Sequence, residues 1–231
     1  MSQPALNLLV DADDTLWENN IYFERAFDDF FDFLAHSSFR REQVRAIFDE
    51  MEIANIRVNG YGSANFARNL TNCYRHLAER DIQDADIEHI LSLGQRILDQ
   101  PIELIAGVKE TLAYLAGRHT LTLFTKGDRE EQRLKVERSG VSGYFSRTAI
   151  VREKDVAAYR GLVAEHALSP DLTWMVGNSP KSDINPAIAA GLGAVFIPHE
   201  HTWRLEHQAI TTGAGARLLQ LEAFADLRHH F

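Results

Sequence analysis

The sequence predicts an α/β protein whose parallel sheet is interrupted, after its first strand, by a helical insertion. From Pro101 onward, short apolar runs alternate with helical patterns, which is typical of a parallel sheet with helices on both faces. Between Trp17 and Gln100, apolar residues instead recur every three or four positions, which is the period of amphipathic helices. We therefore assign residues 1–16 and 101–231 to an α/β core domain and residues 17–100 to a helical domain.

The first predicted strand is the apolar run Leu8-Leu9-Val10, which ends in acidic residues. Strand alternation would point Asp11 and Asp13 to the same side. Two carboxylates side by side repel each other unless a cation or a proton intervenes. Because an acidic turn at this place needs such compensation, we interpret the end of the strand as a functional site.

Four amphipathic helices are predicted between Trp17 and Gln100, and together they indicate a small bundle. The first carries Phe27, Phe30 and Phe31 among acidic residues, and we expect this aromatic face to form the bundle core. The others cover residues 41–57, 64–80 and 84–98. A helical unit inserted so soon after the acidic strand is expected to lie over the carboxyl end of that strand, as a lid.

The chain after Pro101 supplies the rest of the core. Helices are predicted at residues 108–116, 129–139, 156–167 and 186–190, and strands at residues 121–125, 149–151, 174–176 and 194–197. Asn185 is the expected N-cap of the last helix, with Pro186 at its first position. Ligands of such sheets bind beyond the carboxyl ends of the strands, so polar residues there are candidates for a site.

Composition and charge restrict the class of partner. The chain has 231 residues, of which 45% are hydrophobic, and a formal net charge of -9, which argues against nucleic acid or an anionic membrane as the main partner. No apolar run is long enough to span a bilayer, and Met1–Pro4 lacks the basic region of a secretory signal. We expect a cytoplasmic monomer or homodimer. Cys73 is the single cysteine, so its expected role is packing.

Polar residues follow three later strands, and this coincidence is stronger than any single motif. Thr125 and Lys126 end the second strand, where a hydroxyl and freed backbone amides could hold a phosphate. Lys154 follows the third strand, and lysine is suited to neutralising an anion as a compact point charge. Asn178 and Asp183 follow the fourth strand. The sequence alone thus predicts clustered carboxylates, a lysine and a cleft able to bind a metal.

The segment Asp11-Ala12-Asp13-Asp14-Thr15-Leu16 resembles the first motif of the haloacid dehalogenase-like (HAD) hydrolase superfamily, Asp-x-Asp-x-Thr after a strand. Thr125 resembles its second motif and Lys154 its third, although Arg152 is a nearby alternative to this lysine. The segment from Gly177 to Asp183 resembles the fourth motif, except that an asparagine replaces its first aspartate. The resemblance covers the whole chain and implies a Rossmann-like core with a helical cap.

The same resemblance implies a phosphatase that acts on a small phosphorylated metabolite through an aspartyl-phosphate intermediate. Asp11 would attack phosphorus, and Asp13 would protonate the leaving oxygen and then deprotonate water. Thr125, Lys126 and Lys154 would bind and neutralise the transferring group.

A magnesium site is also implied by the resemblance, with Asp11, Asp13, Asn178 and Asp183 as its ligands. Mg²⁺ prefers oxygen ligands in octahedral geometry and is commonly held by one or two carboxylates plus a substrate phosphate. Asp13 would contribute its backbone carbonyl, and Asn178 its amide oxygen or a bound water. Because Asn178 gives the site one negative charge fewer than the family pattern, we expect a weaker or retuned magnesium site.

Other functions are compatible with these motifs. A phosphomutase shares them, and a non-catalytic module that binds a phosphorylated ligand is suggested by Asn178. A dehalogenase-type enzyme is a further alternative, although haloacid dehalogenases of the family lack an acid at the position of Asp13. No lysine occurs between Trp17 and Gln100, which argues against a phosphonate hydrolase that would need a cap lysine for a Schiff base.

Three histidines follow the last predicted strand. His199, His201 and His207 lie near Glu200, but their spacings match no zinc motif. We therefore expect this segment to be a structural cover over the cleft. The sequence also lacks the glycine-rich fingerprints of dinucleotide-binding and P-loop proteins.

Overall fold

A computed structural model describes residues 4–213 and 215–231 of the chain. Met1–Gln3, which belong to the segment predicted to lack the basic region of a secretory signal, lie outside the described residues. The chain divides into two compact units, one formed by the residues up to Asn20 and from Ile102 onward, the other by Ile21–Pro101. In the described part of the chain, no helix combines the length and the apolar character that a membrane crossing requires.

The described residues form eight α-helices and one parallel sheet of six strands. The helices are α1 (Asn20–Phe33), α2 (Arg41–Asn59), α3 (Ser63–Leu77), α4 (Asp84–Leu98), α5 (Val108–Ala116), α6 (Arg129–Arg138), α7 (Val156–Glu165) and α8 (Asn185–Ala189). The strands are β1 (Asn7–Val10), β2 (Thr120–Lys126), β3 (Arg147–Val151), β4 (Thr173–Gly177), β5 (Gly193–Phe196) and β6 (Leu218–Gln220). Their order in the sheet is β3-β2-β1-β4-β5-β6, which confirms the predicted α/β class.

The sheet buries both of its faces, as parallel sheets generally do. Leu8 and Val10 of β1 belong to the apolar cluster on one face, which includes residues of α5. Leu9 belongs to the cluster on the other face, together with Tyr159 of α7. This alternation follows from the two-residue period of a strand, and it fixes β1 between two layers of helices.

Strand register brings the end of β1 between the ends of its two neighbours. Val10 lies opposite Leu123 of β2 and Val176 of β4. Pairing continues for one residue, because the Asp11 N–H donates to the Val176 carbonyl over 2.9 Å. Residues that follow β1, β2 and β4 therefore meet at one edge of the sheet, which is the usual ligand-binding edge of such folds.

The second unit is a helical bundle with its own core. Phe27 and Phe30 of α1 are fully buried and pack with Phe48 of α2 and with residues of α3 and α4. This confirms that the aromatic face of the first helix is a packing surface. Helices α3 and α4 approach closely at Gly94, where an added Cβ would lie 2.7 Å from the Cβ of Ala67.

Two details of the core differ from the sequence prediction. Strand β6 was not predicted, because it is three residues long and follows β5 without an intervening α-helix. Asn185 is the first residue of α8 and not its N-cap, since a π-helical turn at Pro180–Ile184 leads directly into that helix. The Asn185 side chain instead bonds the backbone of Ala209 and Thr211.

Replacement of Gly94 by alanine is expected to destabilise the helical unit, because the new Cβ would lie 2.7 Å from both the Ala67 Cβ and the Ser63 carbonyl oxygen. Overpacking of this kind typically costs about 1–3 kcal/mol. Urea unfolding of Gly94→Ala should therefore show a lower midpoint than the wild type.

Gly161 of α7 provides a matched control, because an added Cβ there meets no atom within 4 Å. Gly161→Ala should stabilise the protein by about 0.5–1 kcal/mol through the helix preference of alanine. A midpoint for Gly94→Ala equal to or above that of Gly161→Ala would contradict the close approach of α3 and α4.

Candidate active site

The site begins in the turn that follows β1. The Ala12 carbonyl accepts a hydrogen bond from the Leu16 N–H over 2.8 Å, which closes the turn. Asp14 has a φ of 59°, in the left-handed region that aspartate tolerates better than most side chains. Its buried carboxylate accepts hydrogen bonds from the N–H groups of Asn19 and Asn20 at 2.9 and 3.0 Å. These bonds fix the turn.

Lys154 joins two buried carboxylates at this edge of the sheet. Its Nζ contacts Asp11 Oδ1 and lies 2.6 Å from Asp183 Oδ1. Burial and the negative charge of Asp183 raise the pKa of Asp11 to about 7, although Lys154 acts in the opposite direction. Burial opposes the charge of Lys154, but the two carboxylates outweigh it and raise the lysine pKa. One ammonium thus faces two acids.

Local structure explains how Asp183 and Lys154 reach this position. The Asp183 carboxylate turns back to accept a hydrogen bond from the Ser179 N–H over 3.0 Å. A Cβ at position 177 would collide with this carboxylate, which accounts for Gly177 at the end of β4. Lys154 precedes α7, whose N-cap Asp155 accepts from the Ala158 N–H over 2.8 Å. Asp155 therefore starts a helix directly after Lys154.

Asn178 is linked to the nucleophile candidate through a hydroxyl. The Thr15 Oγ1 lies 3.1 Å from Asp11 Oδ2 and 3.3 Å from Asn178 Oδ1. On its other side, the Asn178 amide nitrogen donates to the Thr202 hydroxyl over 2.8 Å. Thr202 therefore orients the amide so that its oxygen is on the side of Asp11.

Asp13 is held by a separate set of donors. Its carboxylate accepts hydrogen bonds from Trp17 Nε1 at 2.8 Å and Gln132 Nε2 at 2.7 Å, and it pairs with Lys135 Nζ at 3.1 Å. Burial opposes the charge of Lys135, but the Asp13 and Glu131 carboxylates raise its pKa. Asp13 lies in the turn beyond the last residue of β1, so strand alternation does not decide its direction. Sequence reasoning missed Gln132 and Lys135.

The structure brings Asp11, Lys154 and Asp183 together directly, whereas Lys126 bonds another group. Its Nζ donates to Glu206 Oε1 at 2.7 Å and to Ser182 Oγ at 2.8 Å. Thr125 is buried, and its Oγ1 lies 3.5 Å from the Lys126 carbonyl. The substrate-binding roles of Thr125 and Lys126 therefore stay predictions.

Glu206 anchors the loop that carries Asn178 and Asp183. Its carboxylate also accepts hydrogen bonds from the hydroxyls of Ser179 and Ser182. Burial acts in the opposite direction, but Lys126 and the two hydroxyls together lower the pKa of Glu206 to about 2. Glu206 thus holds this loop at the end of β2. Neither the spacing of Glu206 in the sequence nor its sequence neighbours indicate this role.

The histidine-containing segment contributes one side chain to a mixed cluster. His199 Nε2 lies 3.3 Å from Glu18 Oε1, and His199 Nδ1 lies 4.0 Å from Asp14 Oδ1. In the described part of the chain, Asp14, Glu18 and His199 are the one group of three or more His, Cys, Asp or Glu side chains close enough to hold a metal ion. This group includes neither His201 nor His207. His199 is thus the one histidine of the segment that belongs to this group.

The fold and the site together define an α/β protein with two buried carboxylates and a lysine at the carboxyl edge of its sheet. A family model for haloacid dehalogenase-like hydrolases matches residues 7–191. The chain belongs to this family of hydrolases. No curated protein sequence matches it significantly.

Solved structures show the same architecture. A haloacid dehalogenase-like family hydrolase from Xanthomonas campestris is 29% identical, with a TM-score of 0.84 over 99% of this chain and 95% of its own. The magnesium-bound HAD-hydrolase YfnB from Bacillus subtilis is 15% identical, with a TM-score of 0.68 over 99% of each chain. A 2-haloacid dehalogenase from Pseudomonas syringae is 20% identical, with a TM-score of 0.65 over 98% of this chain and 97% of its own. The choice between phosphatase and dehalogenase thus depends on the residues of the site.

Replacement of Glu206 by glutamine is expected to lower the free energy of unfolding at pH 7 by roughly 2–4 kcal/mol, because the half-buried Lys126 loses the ion pair with its buried partner. The folded pKa of Glu206, about 2, lies below its ordinary value of 4.5. This stabilisation is therefore fully present above pH 4.5 and is lost as the pH falls towards 2. Urea unfolding of both proteins should show a larger difference at pH 7 than at pH 3.

Glu153→Gln is the control, because Glu153 also faces Lys126 but is largely exposed. Its effect should stay below about 1 kcal/mol. A difference in the free energy of unfolding between wild type and Glu206→Gln that is larger at pH 3 than at pH 7 would contradict the pairing of Glu206 with Lys126.

Proposed function

We propose that this protein is a magnesium-dependent phosphatase that hydrolyses a small phosphorylated metabolite. Asp11 is the nucleophile and forms an aspartyl-phosphate, which water then hydrolyses. The observation that carries the proposal is the presence of a second carboxylate, Asp13, two residues from Asp11 and held by its own donors.

The leaving group distinguishes the two reactions of the family. A halide departs as a stable anion and needs no proton, whereas the alkoxide of a phosphate ester is strongly basic and needs a general acid. Asp13 is suited to this role, because it gives a proton to the ester oxygen as the P–O bond breaks. It then takes a proton from the water that attacks the aspartyl-phosphate. Dehalogenation would leave Asp13 without the first of these two tasks.

Asp11 has the features of a phosphoryl acceptor. It is buried, its Oδ1 contacts the Lys154 ammonium, and the Thr15 hydroxyl lies 3.1 Å from its Oδ2. The ammonium orients the carboxylate and offsets the negative charge of an approaching phosphate. Phosphoryl transfer needs mainly positioning and charge stabilisation, and these groups can provide both.

The residues present fit a magnesium ion. Asp11 and Asp183 are buried oxygen donors within reach of a single ammonium, so two carboxylates share one positive charge. These two carboxylates, the amide oxygen of Asn178 and the backbone carbonyl of Asp13 would hold the ion, which when bound would supply positive charge to the transferring phosphate. Hard oxygen donors of this kind suit Mg²⁺ better than softer metals.

Phosphate release from p-nitrophenyl phosphate and a panel of phosphorylated metabolites tests the function. We expect release that requires magnesium and is lost after removal of the metal with EDTA. Asp11→Asn should reduce the rate by about 1,000-fold or more, since the amide is not a competent nucleophile. Asp171→Asn, at an exposed aspartate of the same unit, is the control and should keep wild-type activity.

Halide release from 2-haloacids is measured in parallel, because it tests the alternative dehalogenase function. Chloride release without magnesium, together with no phosphate release, would overturn the phosphatase assignment in favour of a dehalogenase. Tight binding of a phosphorylated compound without turnover over hours would instead favour a binding module.

Asn178→Asp is expected to tighten magnesium binding about 10-fold or more without abolishing activity, because it adds a carboxylate near the ion. The measurement is the magnesium concentration that gives half-maximal phosphate release. Thr202→Val, which removes the hydrogen bond to the Asn178 amide without changing charge, should not tighten binding. An unchanged magnesium titration of Asn178→Asp would remove Asn178 from the metal site.

A further inference from the structure

The structure assigns a second function to helix α6: we propose that Lys135 and Gln132 are positioning residues that hold the general acid Asp13 against the leaving group. This inference rests on the proposed phosphatase function and extends it to residues outside the four family motifs. Neither residue is placed to form a bond with phosphorus, so both act through the Asp13 carboxylate.

Both residues contact the Asp13 carboxylate directly. Gln132 Nε2 lies 2.7 Å from Asp13 Oδ2, while Lys135 Nζ lies 3.2 Å from Oδ1 and 3.1 Å from Oδ2. Trp17 Nε1 completes the set with a bond of 2.8 Å to Oδ1. Three donors of fixed direction leave the carboxylate little rotational freedom, which is what proton transfer to a specific oxygen requires.

Helix α6 presents these donors from a rigid base. Gln132 and Lys135 are three residues apart and therefore lie on one face of the helix. The N-cap of the helix is Asp128, whose carboxylate accepts hydrogen bonds from the N–H groups of Glu130 and Glu131 at 3.1 and 3.0 Å. Donors on a capped helix are held more firmly than donors on a loop.

Each donor is also tied to a second point near the site. The Lys135 ammonium donates to Asn19 Oδ1 over 2.7 Å, in the turn that follows β1. The Gln132 amide nitrogen donates to the Lys126 carbonyl over 2.9 Å, at the end of β2. The two residues thus connect the Asp13 turn to the neighbouring strand and hold the acid in register with the sheet.

Packing alone does not explain these polar residues. Gln132 is 4% exposed, and its Oε1 is buried without a hydrogen-bond partner among the described residues. A buried acceptor without a partner costs stability, and an apolar side chain of similar size would avoid that cost. The presence of Gln132 beside Asp13 is what a positioning role predicts, since functional sites commonly keep such unfavourable groups.

Lys135 and Gln132 act at the step in which Asp13 changes its charge. As the P–O bond of the ester breaks, the proton of Asp13 moves to the departing oxygen and a carboxylate is left. The Lys135 ammonium and the Gln132 amide already point at this carboxylate, so they stabilise the charge that appears without having to reorganise. When water attacks the aspartyl-phosphate, its proton returns to Asp13 and phosphate is released.

The test compares two substrates that differ in their need for a general acid. p-Nitrophenolate leaves readily without a proton, whereas the phenolate of phenyl phosphate benefits more from one. Lys135→Met should lower kcat/KM for phenyl phosphate by about 100-fold, because kcat/KM reports the step in which the leaving group departs and a misplaced acid loses much of its contribution there. It should lower kcat/KM for p-nitrophenyl phosphate less than about 5-fold.

Three further variants complete the design. Lys135→Arg should recover part of the lost rate with phenyl phosphate, because it restores a cation. Gln132→Met should show the same selective loss as Lys135→Met, and it provides the test if Lys135→Met does not fold. Lys109→Met, the same substitution at an exposed lysine of α5, should behave as the wild type.

The outcomes separate the inference from the function on which it rests. Equal losses with both substrates, or no loss in the Lys135 and Gln132 variants, would overturn the positioning role while wild-type turnover upholds the phosphatase. No phosphate release by the wild type from either substrate would instead overturn the proposed function itself, and the positioning role with it.

Discussion

One buried ammonium shared by two carboxylates is the interaction on which the geometry of the site depends. Lys154 draws together Asp11, which lies 143 residues away in sequence, and Asp183. The three side chains follow β1, β3 and β4, so the lysine links the ends of these strands. Removal of one partner from such a buried group is strongly destabilising, because an uncompensated charge is left behind. The same contact therefore stabilises the fold and arranges Asp11, the proposed nucleophile.

A division of labour between two cations follows from this arrangement. Lys154 serves Asp11, whereas Lys135 serves Asp13. A nucleophile and a general acid require different protonation states, and separate environments are the usual way in which neighbouring carboxylates acquire different roles. Asp13 lies in the turn beyond β1, where its carboxylate meets Trp17, Gln132 and Lys135.

The sheet and the central residues of the site were predictable because simple patterns specify them. The apolar runs that end in Asp11 or precede Asp183 are short and stop at polar residues, which favours buried strands, and parallel strands bring their carboxyl ends together. The roles of Gln132 and Lys135 were not predictable, since α6 is polar along most of its length and its sequence does not show which polar side chains turn inward. Lys126 illustrates the same limit, because its partner Glu206 lies 80 residues further along the chain.

The central claim is that Asp11 carries the phosphoryl group, and chemical trapping tests it most directly. Turnover of p-nitrophenyl phosphate would be quenched with borohydride, which reduces an acyl phosphate to an alcohol, and the peptides would be sequenced by mass spectrometry. The account predicts that Asp11 is converted to homoserine and that Asp13 and Asp183 are unmodified. Conversion of another acid, or phosphate release without any trapped residue, would contradict it.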